Sequence, residues 1–421
     1  MALTEAQARR ALRHADIPWD AKINDPRASS WVVHAHLGIL GGLAAAFAVG
    51  CSNLRRAEDF FSDLGIGTRR ALGLGRGTPC DTTFYRLLVG QSPTGFEETV
   101  FQQVKQLIAG RVVKNDHFRM GVMNFDGKGT WSRAGGEEVD GARQSWCDEE
   151  GTSLQTVGAL RAVLASSSVC PCVSQKIIGS KEGESPAFRE LFPKVCHHLG
   201  AHFQIVTGDA GLCARENAEL VSDHDRFYLY GLKGNQPHLL ELAQQHGRYF
   251  SRGRKPLART EERYRANTIV RELYACTVAG DPQVDMKDAR QFFYVNQTTY
   301  GPDGDPCAVE LRYFVTSLPE GMLTRDEELA LVRLMWAIEN GCNWTMDMVL
   351  GEDDSQPCQA NKTSIETVSW LRIIGYNALS AWRRLLPAKD RKPASWRRAT
   401  QTLRDALVVD WFDDVLRQGV T

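Results

Sequence analysis

FRMGVMNFDGKG, residues 118–129, is where the character of the chain changes. Upstream, apolar residues recur at helical spacing through HAHLGILGGLAAAFAV (34–49), LRRAEDFFSDLG (54–65), DTTFYRLLVG (81–90) and GFEETVFQQVKQLIAG (95–110). The quoted stretch instead reads as a strand ending in a turn. SLQTVGALRAVLA (153–165) and SVCPCVSQKIIG (168–179) read as two further strands, SPAFRELFPKVCHHLG (185–200) as a helix and AHFQIVTGDAG (201–211) as a strand. NAELVSDH (217–224) is helical, and RFYLYGLKGNQ (226–236) is another strand. Three strands, a helix, a strand, a helix and a strand predict an α/β sheet. In the upstream helices, the glycine-rich GLGRGTP (73–79) is a break, and Asp81 and Thr82 after it are candidates to cap the next helix. Residues 237 to about 330 interrupt the pattern with charged, strand-rich sequence such as ANTIVRELYACTVAG (266–280), after which a long helix bearing Glu339 is expected. No fixed-period repeat is evident.

Composition bounds the function. A chain of 421 residues is long enough for two or three domains with real cores. A hydrophobic fraction of 43% and a charged fraction of 24% are those of an ordinary globular protein. The formal net charge of −1 gives no bulk basic field, but two segments are locally basic. Residues 249–271 carry seven Arg/Lys against two Glu, and residues 381–404 carry eight against one Asp. Eleven cysteines without a short secreted framework fit a reducing compartment. The first thirty residues lack the apolar core of a signal peptide, and the fourteen-residue run LGILGGLAAAFAVG (37–50) predicts a buried helix rather than a membrane span. A cytoplasmic protein is expected. GxSxG, P-loop and HExxH signatures are absent, and GLGRG (73–77) is no dinucleotide fingerprint because no strand precedes it. CPC (170–172), CHH (196–198) and His202 match no standard zinc spacing, and Cys170 and Cys172, on an expected strand, read better as buried thiols.

Three carboxylates carry the chemistry. Asp126 lies at the C-terminal end of the strand in FRMGVMNFDGKG, and Asp209 lies likewise in IVTGDAG. Glu339 lies in MWAIENGCNWTMDMVLGEDDS (335–355), where Glu339, Asn340, Asn343 and Asp347 share roughly one helix face and Trp336, Ile338, Trp344, Met346 and Val349 supply apolar surface. Each Asp beside a Gly is explained singly by turn chemistry. Together the three suit Mg²⁺ or Mn²⁺, which prefer oxygen ligands drawn from separated segments. Two such ions, about 3.5–4 Å apart, can activate a nucleophile and stabilise a leaving oxygen.

The chain resembles the bacterial insertion-sequence DDE transposases of the H-repeat-associated type. The ordered motifs FDGK (125–128), VTGDA (206–210), LKGNQ (232–236), YFVTSLP (313–319), and WAIEN, NWTMDM and EDDS (336–355) carry that resemblance, and GTPCDTTFYRLL (77–88) resembles part of the family's helical N-terminal region. It covers roughly residues 34–380. It implies an RNase H-like catalytic core with a β-rich insertion, preceded by an N-terminal helical domain. The implied boundaries are 1–117 for a DNA-binding helical region, 118–236 for the first part of the core, 237–330 for the insertion, 331–385 for the glutamate helix, and 386–421 for a basic tail. Asp126, Asp209 and Glu339 would bind two Mg²⁺ (or Mn²⁺) ions. Lys128, Lys233, Asn235, Gln236, Asn340 and Asn343 would meet DNA, with Asp347 beside them. Lys181 and Glu184 fall where the family often carries a Lys and a Glu after the third strand. The implied activity is metal-dependent strand cleavage and transfer at insertion-sequence ends, on double-stranded DNA (terminal inverted repeats and target) and as a homodimer, in the bacterial cytoplasm at the nucleoid and without a membrane. The alternatives are a catalytically inactive DNA-binding derivative and an RNase H-like nuclease without strand transfer. Met335 and Asn343 stand where the family is expected to have histidines.

Overall fold

A computed structural model describes residues 17–27, 32–135, 138–139, 142–146, 153–251, 253–352, 361–386 and 394–409. Among the described residues, five helices come first: α1 (His36–Ala48), α2 (Leu54–Asp63), α3 (Ile66–Ala71), α4 (Asp81–Gly90) and α5 (Phe96–Ala109). The apolar run at 37–50 is the almost wholly buried α1. Asp81 does not cap α4. The cap is Cys80, and Asp81 sits in the first turn, with its backbone N–H donating to Glu58 at 2.9 Å.

The strands follow as β1 (Val122–Ala134), β2 (Arg143–Trp146), β3 (Ser153–Leu164) and β4 (Cys172–Ile178), then helix α6 (Glu184–Leu199), β5 (Ile205–Gly208), α7 (Arg215–Asp223) and β6 (Phe227–Leu232). β1 pairs antiparallel with β3, and β3 with β4 and β2, while β1, β5 and β6 are parallel. β1 is longer than its sequence suggested. Its parallel pairing with β5 stops at Phe125↔Gly208, but its antiparallel pairing with β3 continues to Ala134. Asp126 therefore sits where the parallel sheet ends, within a strand that runs on.

After α8 (Pro237–Ser251) come β7 (Ala258–Tyr264), β8 (Asn267–Thr277), β9 (Gln291–Tyr300) and β10 (Pro306–Thr316). β10 pairs with β6 over Tyr313–Thr316, so the strand-rich segment is continuous with the main sheet. The resulting ten-stranded sheet has the order β2-β3-β1-β5-β6-β10-β9-β8-β7, with β4 also on β3. The fold is thus mixed α/β, with one large sheet and many helices.

Helix α9 (Arg325–Leu334) opens with a Thr324/Glu327 capping box. The single long helix expected to carry Glu339 is broken: Ile338–Asn343 is a π-helical turn, followed by the short α10 (Trp344–Met348). The long α11 (Lys362–Leu385) and then α12 (Trp396–Val408) complete the described chain. α11 runs through the core shared by α1, α2, α4, α5 and the Glu339 segment, with Leu40, Phe47, Phe61, Ile338, Met346, Leu371 and Ile374 all buried in one cluster. The α1/α11 crossing is close enough that a Cβ on Gly375 would lie 2.4 Å from the Ala44 carbonyl oxygen. Within the expected basic tail, α12 buries Ala399 and Ala406 in that core; the remainder of 410–421 lies outside the described residues. Among the described residues, no helix is long and apolar enough to cross a membrane.

Candidate active site

Alternation along β1 builds the site. Met123 and Phe125 point to one face, where Phe125 meets Phe188 of α6 edge-on at 4.9 Å. Asn124, Asp126 and Lys128 point to the other, and each is tied to the segment 334–352. The Asn124 amide donates to the carbonyl oxygens of Leu334 (2.5 Å) and Met335 (3.3 Å) and accepts from Thr207. Asp126 accepts from the Asn343 amide at 3.1 Å. Lys128 donates to Asp347 and lies 3.7 Å from Glu352. The π turn keeps Glu339, Asn343 and Asp347 on the sheet side, and π-helical turns recur at functional sites.

Asp209 caps the short turn Ala210–Leu212, accepting from the Gly211 N–H at 2.8 Å, beside the end of β1. Burial first, then the charges of Glu339, Asp209 and Glu184, push the Asp126 carboxyl up to about 7. Burial and Asp209 raise Glu339, opposed by Lys233 and Arg312. Burial and Asp209 also raise Glu184, opposed by Arg143. These mutual effects put Asp126, Asp209 and Glu339 within electrostatic reach of one another, with Glu184 as a fourth carboxylate. Glu184 comes from the first turn of α6 and lies across two glycines: a Cβ on Gly127 would meet its Oε1 at 1.9 Å, and one on Gly211 its Oε2 at 2.9 Å. Among the described residues, no three His, Cys, Asp or Glu side chains are gathered tightly enough to form a ready-made metal site.

The other candidate residues divide into two groups. Lys233 and Asn340 are exposed, Lys233 facing Glu339. Asn235 and Gln236 spend their amides on the loop after Asp209, donating to the Ala210 (2.6 Å) and Cys213 (2.8 Å) carbonyls. Asn343 is buried, and Lys128 is turned inward with only 8% of its side chain exposed. Arg312, not singled out by the sequence, stacks on Trp336 at 4.4 Å. Trp344, read as part of the apolar surface of its helix, is 46% exposed. Cys170 and Cys172 are thiols on or beside β4, and His198 stacks on Phe101 at 4.1 Å, away from them. A cavity of about 540 Å³ opens on Glu184 and Asp209, floored by the bare backbone of Gly127, Gly129 and Gly158 with Arg143 at its edge.

No protein-family model matches the chain. It is similar to the protein YbfL of Escherichia coli (strain K12), at 24% identity over 234 residues. The match covers 53% of this chain and 59% of that protein, so the chain spans little more than half of its relative's length. Among solved structures it is similar to a piggyBac transposase synaptic complex with hairpin DNA, covering 100% of this chain and 81% of that one, at 10% identity and a TM-score of 0.44. A likeness that slight does not by itself establish fold or function.

Proposed function

We propose that the protein is a DDE transposase acting on insertion-sequence ends, with Asp126, Asp209 and Glu339 as its metal-binding carboxylates on an RNase H-like core. The observation that carries the reading is the electrostatic coupling of these residues, drawn from three separate segments, at the point where the β1/β5 parallel pairing ends. The order β4-β3-β1-β5-β6, antiparallel on one side of β1 and parallel on the other, supports the core assignment. The motif resemblance supplies the transposase reading within that core.

The donor set fits a hard divalent cation. It is all carboxylate oxygen, and burial with neighbouring negative charge leaves Asp126 short of a counter-charge. Asp126, Asp209 and Glu339, with Glu184 beside them, would hold Mg²⁺ or Mn²⁺. Bound there, the ions would activate water or a 3′-hydroxyl and stabilise the departing oxygen of the phosphodiester. The chain itself contributes orientation. The Asn343 amide fixes the Asp126 carboxylate, while the bonds of Asn235 and Gln236 hold the loop after Asp209. Lys233 and Asn340, both exposed, would meet phosphate. The exposed Arg259, Arg263 and Arg265 around the β7–β8 hairpin would bind backbone at a distance, giving salt-dependent affinity. Joining two ends calls for a homodimer on DNA.

The test is cleavage of labelled DNA carrying the flanking element ends in Mg²⁺, Mn²⁺ or EDTA. Metal-dependent nicking followed by strand joining, lost in Asp126→Asn and Glu339→Gln, is expected. Nicking without joining would make the protein a nuclease, and end binding without nicking an inactive DNA-binding derivative.

A further inference from the structure

Asp126 and Arg161 are direct cross-strand partners on β1 and β3. Residues so paired point to the same face, with Cβ atoms about 5 Å apart. A buried guanidinium beside a half-buried carboxylate should form an ion pair, yet this one does not. Arg161 is fully buried and binds Glu352 in a fork, NH2 to Oε1 at 2.6 Å and NH1 to Oε2 at 3.0 Å. Among the described residues, its other side-chain partner is Ser369 at 3.4 Å, and its Nε has none. Lys128, two residues along the same face, is likewise drawn away by Asp347 and Glu352. Arg372 donates to the Glu352 backbone carbonyl at 3.3 Å from the far side.

We propose that Glu352 is a positioning residue that sequesters Arg161, and with Asp347 also Lys128, so that neither cation neutralises Asp126 and the carboxylate stays available to a divalent metal. This rests on the metal-site reading above. Glu352 follows the Glu339 segment directly, so the same bonds also hold that segment against β1 and β3. Without Glu352, Asp126 is the carboxylate that strand register sets opposite Arg161, and the guanidinium would close on it.

The experiment is calorimetric titration of the whole protein with Mn²⁺ at pH 8, alongside thermal unfolding. The wild type should bind Mn²⁺ and Asp126→Asn should lose that binding. Glu352→Gln should weaken it about 10- to 100-fold, the range by which residues supporting a metal ligand act. Adding Arg161→Met to Glu352→Gln should restore affinity to near the wild-type value, because the stray guanidinium is gone. A pair that only supports the fold would not give that rescue. Unchanged affinity in Glu352→Gln, or no rescue by Arg161→Met, overturns the proposal while leaving the metal site standing. A wild type that binds no Mn²⁺ overturns both. Should Glu352→Gln not fold, Glu352→Asp takes its place: its shorter side chain should release Arg161 and weaken binding, and unchanged affinity there overturns the proposal.

Discussion

Two charge clusters share one pair of strands and are built in opposite ways. The cluster of Arg161, Arg372 and Lys128 around Glu352 is closed: burial works against the Glu352 charge, but the three cations outweigh it and hold its carboxyl below the ordinary range. The cluster of Asp126, Asp209, Glu339 and Glu184 is open: burial and like charge raise Asp126, and Lys233 and Arg312 stand only at its margin. Asp126 and Arg161 face each other across β1 and β3, so the two clusters are separated by one residue pair. Interior charge that serves structure is compensated by the chain. Charge left uncompensated so near to available cations is destabilising and is retained where something from outside completes it.

Breaking the closed cluster should have the largest effect. Glu352→Ala leaves Arg161 buried without its carboxylate partner and should cost about 3–5 kcal/mol in urea unfolding. Neutralising the open cluster should do the reverse. In the metal-free protein, Asp126→Asn should raise stability at pH 8 by roughly 2 kcal/mol, about half the full value of the shift because the site opens on solvent. The same variant should abolish DNA cleavage, and a loss of stability instead would mean that Asp126 is a structural residue.

The pH dependence sharpens the contrast. The Asp126 carboxyl rises from 3.8 to about 7 on folding, so the folded state favours the proton. Its contribution is most favourable below the unfolded value and is lost as pH climbs from about 4 to about 7. Mn²⁺ should therefore raise the melting temperature more at pH 8 than at pH 5, and in Asp126→Asn that pH difference should disappear. Gly127→Ala should have the smallest effect on stability, under about 1 kcal/mol, since the atom it meets is the end of the Glu184 side chain. It should still weaken Mn²⁺ binding by displacing Glu184, and unaltered titration would exclude Glu184 from the site.

The local pattern showed the order of strands and helices from Val122 to Leu232, because apolar alternation and turn residues are local signals. It did not show that β1 outruns its parallel partner, which depends on β3 offering a longer antiparallel edge. The spacing of Glu339, Asn343 and Asp347 was legible as one face, whereas the π turn that seats them was not, since that turn is imposed by packing of Ile338, Cys342 and Met346 into the core. Lys128 and Asn343 were expected at DNA from their motif positions. Their inward bonds depend on Asp347 and Asp126, more than two hundred residues distant in the chain. Glu184 carried only a positional resemblance, and its place across Gly127 and Gly211 emerges from where α6 begins.

The sequence by itself determined an α/β chain with acidic residues after two strand-like segments and a third on a later helical segment, because side-chain type and short-range periodicity are properties of the covalent chain. The tertiary structure alone decided which charges meet. Asp126 was left to its fellow carboxylates and Arg161 was given to Glu352, because pairing between distant segments is set by strand register and by the depth of burial that register creates.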